Sequence, residues 1–285
     1  MSIELSDVLV KKFENEAIQA FQDGGTELRN YVRLRDAKGA QKVQFNVIGK
    51  GLASERTAIQ TPIPVMDVAH TPKTATVKNY VASELTDIFL NNQVGFDERQ
   101  ELAQTIGMSL NRRLDQVIVD ELNRALAASE ITKTVANNVS GSADNLNVAM
   151  LNDAARQLGS DVPEMDRALV CHDSGFYHLL LEDNVKDYDI NARKPLVDGQ
   201  LPNYHGFAIK KMGDRSEGGL TVDGSNDRTN FAWQKQAIGL AMNMEPMIRI
   251  DWEPSYGAHR ITGYLSAGAV LIQPEGAVAI TSRES

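Results

Sequence analysis

A single cysteine, Cys171, stands in a chain of 285 residues. No disulfide can close within one copy, which fits a reducing compartment. Long apolar runs are also missing, and no window approaches the length needed to cross a bilayer. Positive charge is scarce, with 29 Lys and Arg against 38 Asp and Glu for a formal net charge of -9. A protein whose work is to grip nucleic-acid phosphates needs clustered cations to displace counterions, so that class is disfavoured and at most incidental contact is left. The first residues carry Glu4 and Asp7 where a secretory signal would place positive charge ahead of an apolar stretch. The expectation is a chain made and kept in a cytosol-like compartment.

Catalytic and ligand-binding patterns are equally sparse. Gly49-Lys50-Gly51 lacks the four residues between glycines and the following Ser or Thr that a phosphate loop requires, so it reads as a flexible tip. Cys171 lies beside His172 and near His178, but it ends an apolar strand, where a buried inert thiol is the commoner role. The remaining histidines, His70, His205 and His259, are scattered, and no metal-ligand spacing emerges. The stretch from Asp223 to Asp227 lacks the sixth-position glycine of a calcium loop, where Arg228 stands, and its terminal Glu, where Gln234 falls. It reads as a solvated turn. With no nucleophile elbow, paired carboxylates or dinucleotide fingerprint, the reading is a non-enzyme with no catalytic residue, no cofactor and no metal.

What the chain does contain is a core-sized apolar fraction of 42%, enough for one large domain or two modest ones. Val10, Phe13, Ala17 and Phe21 recur at helical spacing before Gly24-Gly25, predicting a short N-terminal arm helix over 6–23. A long polar arm follows at 40–83. It opens with the strict alternation of residues 42–47, closes with the Thr- and Val-rich 74–82, and has almost no apolar content between. Such a segment cannot hold its shape alone and is expected to lean on another copy of the chain as a projecting hairpin. Asp97 then caps a predicted helix over 97–128, with Glu98 and Glu101 in the first turn. Its apolar residues, Leu102, Ile106, Leu110, Leu114, Ile118, Leu122 and Leu126, recur at every fourth position. Four residues overshoot one turn, so this stripe winds round the helix by roughly 40° per step and must meet different neighbours along its length.

Beyond a polar stretch at 132–144, Val148, Leu151, Ala155 and Leu158 predict a helix ended by Gly159, followed by a strand over 167–171 and a short helix capped by Asp173 or Ser174. A strand is predicted at 206–210 between two polar loops, about 184–204 and 212–230, the second exposed and mobile. Further strands are expected at 247–250, 260–265, 269–272 and 277–281, with a turn at Pro274 before the last. Helices in one block and antiparallel strands in another indicate an α+β architecture.

This order of arm, hairpin, spine helix, helix-strand-helix region and returning strands resembles the major capsid proteins of tailed bacteriophages, which share the Hong Kong 97 fold. The likeness is carried by Ala82-Ser83-Glu84-Leu85-Thr86-Asp87-Ile88, Phe96-Asp97-Glu98-Arg99 and Leu110-Asn111-Arg112-Arg113-Leu114-Asp115, which look like the approach to the spine helix in capsid proteins of short-tailed phages. Arg167-Ala168-Leu169-Val170 is similar to a strand of the family's axial domain. Gln273-Pro274-Glu275-Gly276-Ala277-Val278 resembles its closing segment, with Gln273 in place of a basic residue.

The resemblance implies an N-terminal arm at 1–39, an extended E-loop at 40–83 and a peripheral domain with spine helix at 84–135. It further implies an axial domain at 136–245, peripheral strands at 246–272 and a closing axial strand at 273–285. It implies a structural major capsid protein that self-assembles as pentamers and hexamers into an icosahedral shell enclosing double-stranded DNA, without sequence-specific binding and without a membrane. A separate scaffolding protein and a portal are the further partners implied, with assembly in the host cytoplasm and residence in the virion capsid. The alternative is an encapsulin-like bacterial compartment shell protein enclosing cargo. Lys50, Glu55 and Arg56, near the arm tip, are the candidates for inter-subunit contact.

Overall fold

A computed structural model of the chain describes residues 24–25, 27–55, 63, 65–88, 98–159, 161–182 and 203–284. The predicted arm helix over 6–23, the cap Asp97, the candidate Arg56 and nearly all of the 184–204 loop lie outside the described residues. Within them, helices α1 (Glu98–Ala127), α2 (Val148–Leu158) and α3 (Asp173–Leu181) combine with twelve strands in a mixed α+β fold. The strands are β1 (Arg33–Asp36), β2 (Lys42–Ile48), β3 (His70–Thr76), β4 (Lys78–Asp87), β5 (Thr134–Val135) and β6 (Arg167–Cys171). They continue as β7 (Asn203–Tyr204), β8 (Phe207–Lys211), β9 (Asp227–Gln234), β10 (Ile238–Glu253), β11 (Ala258–Leu271) and β12 (Ala277–Arg283). Three sheets result, ordered β1-β10-β11-β4, β5-β12-β9-β6-β8-β7 and β2-β3.

Helix α1 spans the predicted range, and its winding stripe has the expected consequence. Ile106, Leu110, Leu114, Ile118 and Leu122 are all buried, and every residue from 114 to 119 is buried, so this part of the helix is enclosed on all sides. Its end is a Schellman arrangement: Glu130 N donates to Ala125 O (2.8 Å) and Ser129 N to Leu126 O (2.9 Å). Ser129 takes the left-handed position at φ 56, where glycine is usual.

The chain divides into two compact units. One holds Asn79–Arg113 and Met244–Ser266 together with Gly24 and Gly25 among the described residues. Here the first part of α1 lies on the strands, and Gly263 of β11 admits it: a Cβ there would come within 2.5 Å of Ile106 and 2.7 Å of Leu110. Ser83 and Thr262 hydroxyls (3.3 Å) and the Ser266 hydroxyl with Asn79 Oδ1 (2.7 Å) join β4 to β11.

The other unit holds Thr26–Lys78, Leu114–Asn243 and Ala267–Ser285. Its centre is the six-stranded sheet, where β9 pairs antiparallel with both β12 and β6, while β6–β8 and β12–β5 are parallel. Helices α2 and α3 contribute Met150, Leu151, Leu158, Phe176 and Leu179 to one apolar cluster with Leu169, Phe207, Ala232 and Ile280 from the strands. Asn147 caps α2 by accepting from Met150 N (2.9 Å). The cap of α3 is His172, whose Nδ1 lies 3.3 Å from Ser174 N, rather than Asp173 or Ser174.

Four expectations about strands change. The run 74–82 is two strands broken at Val77, the first paired with β2 and the second in a different sheet. Strand β9 falls partly in the region expected to be a loop; it is nearly all buried, so no alternation marks it. The segment expected at 247–250 belongs to a 16-residue strand. The two strands expected at 260–265 and 269–272 are one 14-residue strand, interrupted in pattern by Gly268, where a Cβ would lie 2.1 Å from the Thr76 carbonyl. Helices and strands also interleave in the six-stranded sheet instead of forming separate blocks.

Candidate assembly surface

The arm is the first element to consider, because its two ends behave differently. Strands β2 and β3 pair antiparallel from Lys42↔Thr76 to Ile48↔His70. Alternation turns Val43, Phe45 and Ala75 into a cluster with Ala37, Ala241, Val270 and Ile272 of the same unit, and Phe45 is buried. The base of the hairpin is therefore anchored in its own chain, which corrects the expectation that the whole arm needs another copy. The tip differs: Leu52 is 83% exposed, Ile63 78% and Val65 92%. Uncovered apolar side chains of this size are normal singly, but several in one segment mark an interaction surface.

Of the three contact candidates, Lys50 meets Asp161 Oδ2 at 2.6 Å and Glu275 Oε2 at 3.3 Å within its own chain. The hydrogen bonds to Asp161 and then Glu275 raise the Lys50 pKa, and the Asp161 carboxyl is held below its ordinary value by the same bond. Beside them Lys133 Nζ donates to the carbonyls of Glu275 (2.6 Å) and Leu158 (3.4 Å), and burial lowers its pKa. Glu55 is exposed, and Arg56 lies outside the described residues. No sequence signal links Lys50 to Asp161 or Glu275; the fold alone brings them together.

A second exposed apolar set lies in the other unit. Met247, Ile248, Ile250, Trp252 and Tyr256 are between 36% and 63% exposed on β10 and the turn after it. Trp252 is held edge-on to His259 with ring centroids 5.0 Å apart.

The polar groups of the larger unit serve its closure. The Glu284 carboxylate accepts from Arg228 Nε (2.6 Å) and Nη2 (3.0 Å) and from the Ser174 hydroxyl (3.0 Å), and His172 Nδ1 lies 2.8 Å away. Arg228 Nη1 reaches Asp214 (2.8 Å), so Glu284 and Asp214 share one buried guanidinium. Burial pushes the Glu284 carboxyl up, but the bonds from Arg228 and Ser174 outweigh it and hold it below its ordinary value. Asp227 is likewise lowered by Arg283 at 2.9 Å. Asp223 folds the preceding turn by accepting from Ser225 N (2.8 Å) and Asp227 N (2.9 Å), in agreement with a solvated turn.

Cys171 is fully buried, and burial pushes its thiol up to about 12. Among the described residues no group of His, Cys, Asp and Glu is arranged to hold a metal ion. An open groove of about 410 Å³ runs past Asp144, Asn147, Asn152, Glu182 and His205. Its Asn147 caps α2 and donates to Asp144 (3.3 Å), so those two side chains serve the fold.

The phage capsid protein family matches residues 5–284 of the sequence. The chain belongs to that family. No curated protein sequence matches it significantly. Among solved structures, the capsid of cyanophage P-SCSP1u superposes with a TM-score of 0.75 at 14% identity, covering 100% of this chain and 96% of that one. The acid-stable capsid of Helicobacter pylori bacteriophage KHP30 gives 0.76 at 11%, covering 100% and 98%, and Mycobacterium phage Che8 gives 0.65 at 14%, covering 94% and 95%. At such identities the superpositions show the fold, while the family match carries the function. This capsid protein is a structural component of the virion with the Hong Kong 97-type fold, and of the two shell readings the matched family is that of phage capsids.

Proposed function

We propose that this capsid protein assembles as pentamers and hexamers into an icosahedral shell around double-stranded DNA, which it encloses without sequence-specific binding. The observation that carries the proposal is a head-subunit fold over the whole chain whose arm tip presents uncovered apolar side chains at Leu52, Ile63 and Val65. Fully covering a side chain of this kind contributes about 1.5–3 kcal/mol. Repeated in every subunit, that gain supports a closed assembly of modest contacts.

In this reading residues 1–39 are the N-terminal arm and 40–83 the E-loop. Residues 84–135 and 246–272 form the peripheral domain, and 136–245 with 273–285 the axial domain. Lys50, Glu55 and Arg56 contact neighbouring subunits. Lys50 exchanges its exposed partners Asp161 and Glu275 for a neighbour's carboxylate at little cost, because exposed ion pairs contribute little. Scaffolding protein and portal are separate chains, assembly takes place in the host cytoplasm, and the phage is short-tailed. Electron microscopy of the protein expressed with and without its scaffolding protein tests the proposal. Closed shells or capsomer rings are the expected product, and a compact monomer at every concentration by light scattering overturns it. Micrographs of the parent virion decide the tail.

A further inference from the structure

The chain's charge is distributed unevenly. From Arg29 to Lys42 five cations, Arg29, Arg33, Arg35, Lys38 and Lys42, face one acid, Asp36, for a local net charge of +4 in a chain of net -9. No window of that length among the described residues is more positive. Arg33, Arg35, Lys38 and Lys42 are all exposed. Strand periodicity puts Arg33 and Arg35 on one face of β1 and Asp36 on the other. Arg35 donates to the Gln44 carbonyl and its guanidinium lies 5.8 Å over the Phe45 ring, so the cationic face of β1 adjoins β2, which begins at Lys42. Asp36 is occupied with the turn between them: its Oδ1 accepts from Lys38 N (2.9 Å) and its Oδ2 lies 3.8 Å from Lys38 Nζ.

We infer that this cationic edge, Arg33, Arg35, Lys38 and Lys42, is the surface by which the capsid protein contacts the phosphate backbone of double-stranded DNA. The inference rests on the shell reading and adds to it the place of contact. Charge on an edge strand also guards against strand addition, but one or two cations on β1 suffice for that, and Lys38 and Lys42 lie beyond the strand. A row of exposed cations carried by a strand and a turn suits a sequence-independent polyanion, because phosphate contacts carry no sequence information. It leaves the acidic remainder of the subunit to repel DNA, so the contact is local and reversible.

The test measures binding of the full-length protein to a mixed-sequence DNA duplex of about 30 base pairs by fluorescence anisotropy across salt, with four phosphates neutralised giving a log–log slope of about -3.6. Affinity then falls on the order of 100-fold between about 50 and 200 mM salt. The R33Q/R35Q/K38Q/K42Q variant flattens that slope, the charge-keeping R33K/R35K variant retains it, and circular dichroism checks that both are folded. Should the fourfold variant not fold, R33Q/K42Q is read in its place, with the slope falling by about 1.8. A neutralised variant that binds DNA as the parent does overturns the inference. So does a parent that ignores DNA yet binds polyglutamate, which would make the surface one for an acidic protein. Shells that form normally while DNA binding is absent sink this inference alone, whereas loss of all assembly by the parent protein sinks the shell reading.

Discussion

At the scale of single residues, the clearest dependence is on Glu284, whose carboxylate gathers Arg228, Ser174 and His172 at the end of β12. Its pKa is held below the ordinary 4.5, so the stabilisation it brings is complete at neutral pH and is lost as pH falls through the depressed folded value. Glu284→Gln removes the charge and leaves Asp214 as the one carboxylate on Arg228, which costs about 2 kcal/mol at pH 7. Thermal melts of parent and variant should therefore differ at pH 7 and converge in acid once pH has fallen through the lowered folded value, and a difference that stays constant on acidification would contradict the assignment. Cys171 offers a simpler check. Fully buried, with its thiol pushed up to about 12, it should resist maleimide in the folded protein and react at once in denaturant.

At the scale of elements, the arm separates into an anchored base and an uncovered tip. Phe45→Ala empties a site packed by Ala241, Val270 and Ile272 and should lower subunit stability by about 3–5 kcal/mol. Deletion of residues 49–60 removes none of that cluster. The truncated subunit should keep its circular dichroism and melting temperature while failing to form stable shells. Global unfolding of the deletion would place the segment in the core. The contrast was half visible in the sequence: alternation from Lys42 to Val47 announced β2, but which face its apolar residues would meet depended on Ala241 and Val270, far along the chain.

At the scale of the whole molecule, the assembly is expected to be non-covalent. A lysine that welds subunits must lose its proton in a dry pocket with a carboxylate to receive it. Lys50 is exposed to water and its two carboxylate partners raise its pKa, so it stays a cation and a poor nucleophile. Particles boiled in detergent should run as one band near 31.3 kDa, and a ladder surviving reductant would reveal a cross-linking pair elsewhere.

The amino-acid sequence by itself determined the elements whose information is local. The 30-residue spine helix follows from its apolar spacing and acidic first turn, α2 from the spacing of Val148, Leu151, Ala155 and Leu158 before Gly159, and β2 from alternation. It also carried the order of elements by which the family is recognised. Only the tertiary structure decided the rest, because the deciding contacts are remote in the chain. Strand β9 is covered on both faces and so shows no period. Gly268 looks like a break between two strands until the Thr76 carbonyl is placed against it. The pairing of Lys50 with Asp161 and Glu275, like the gathering of Arg228, His172 and Glu284, has no signature in spacing, since each partner arrives on a different strand, turn or helix.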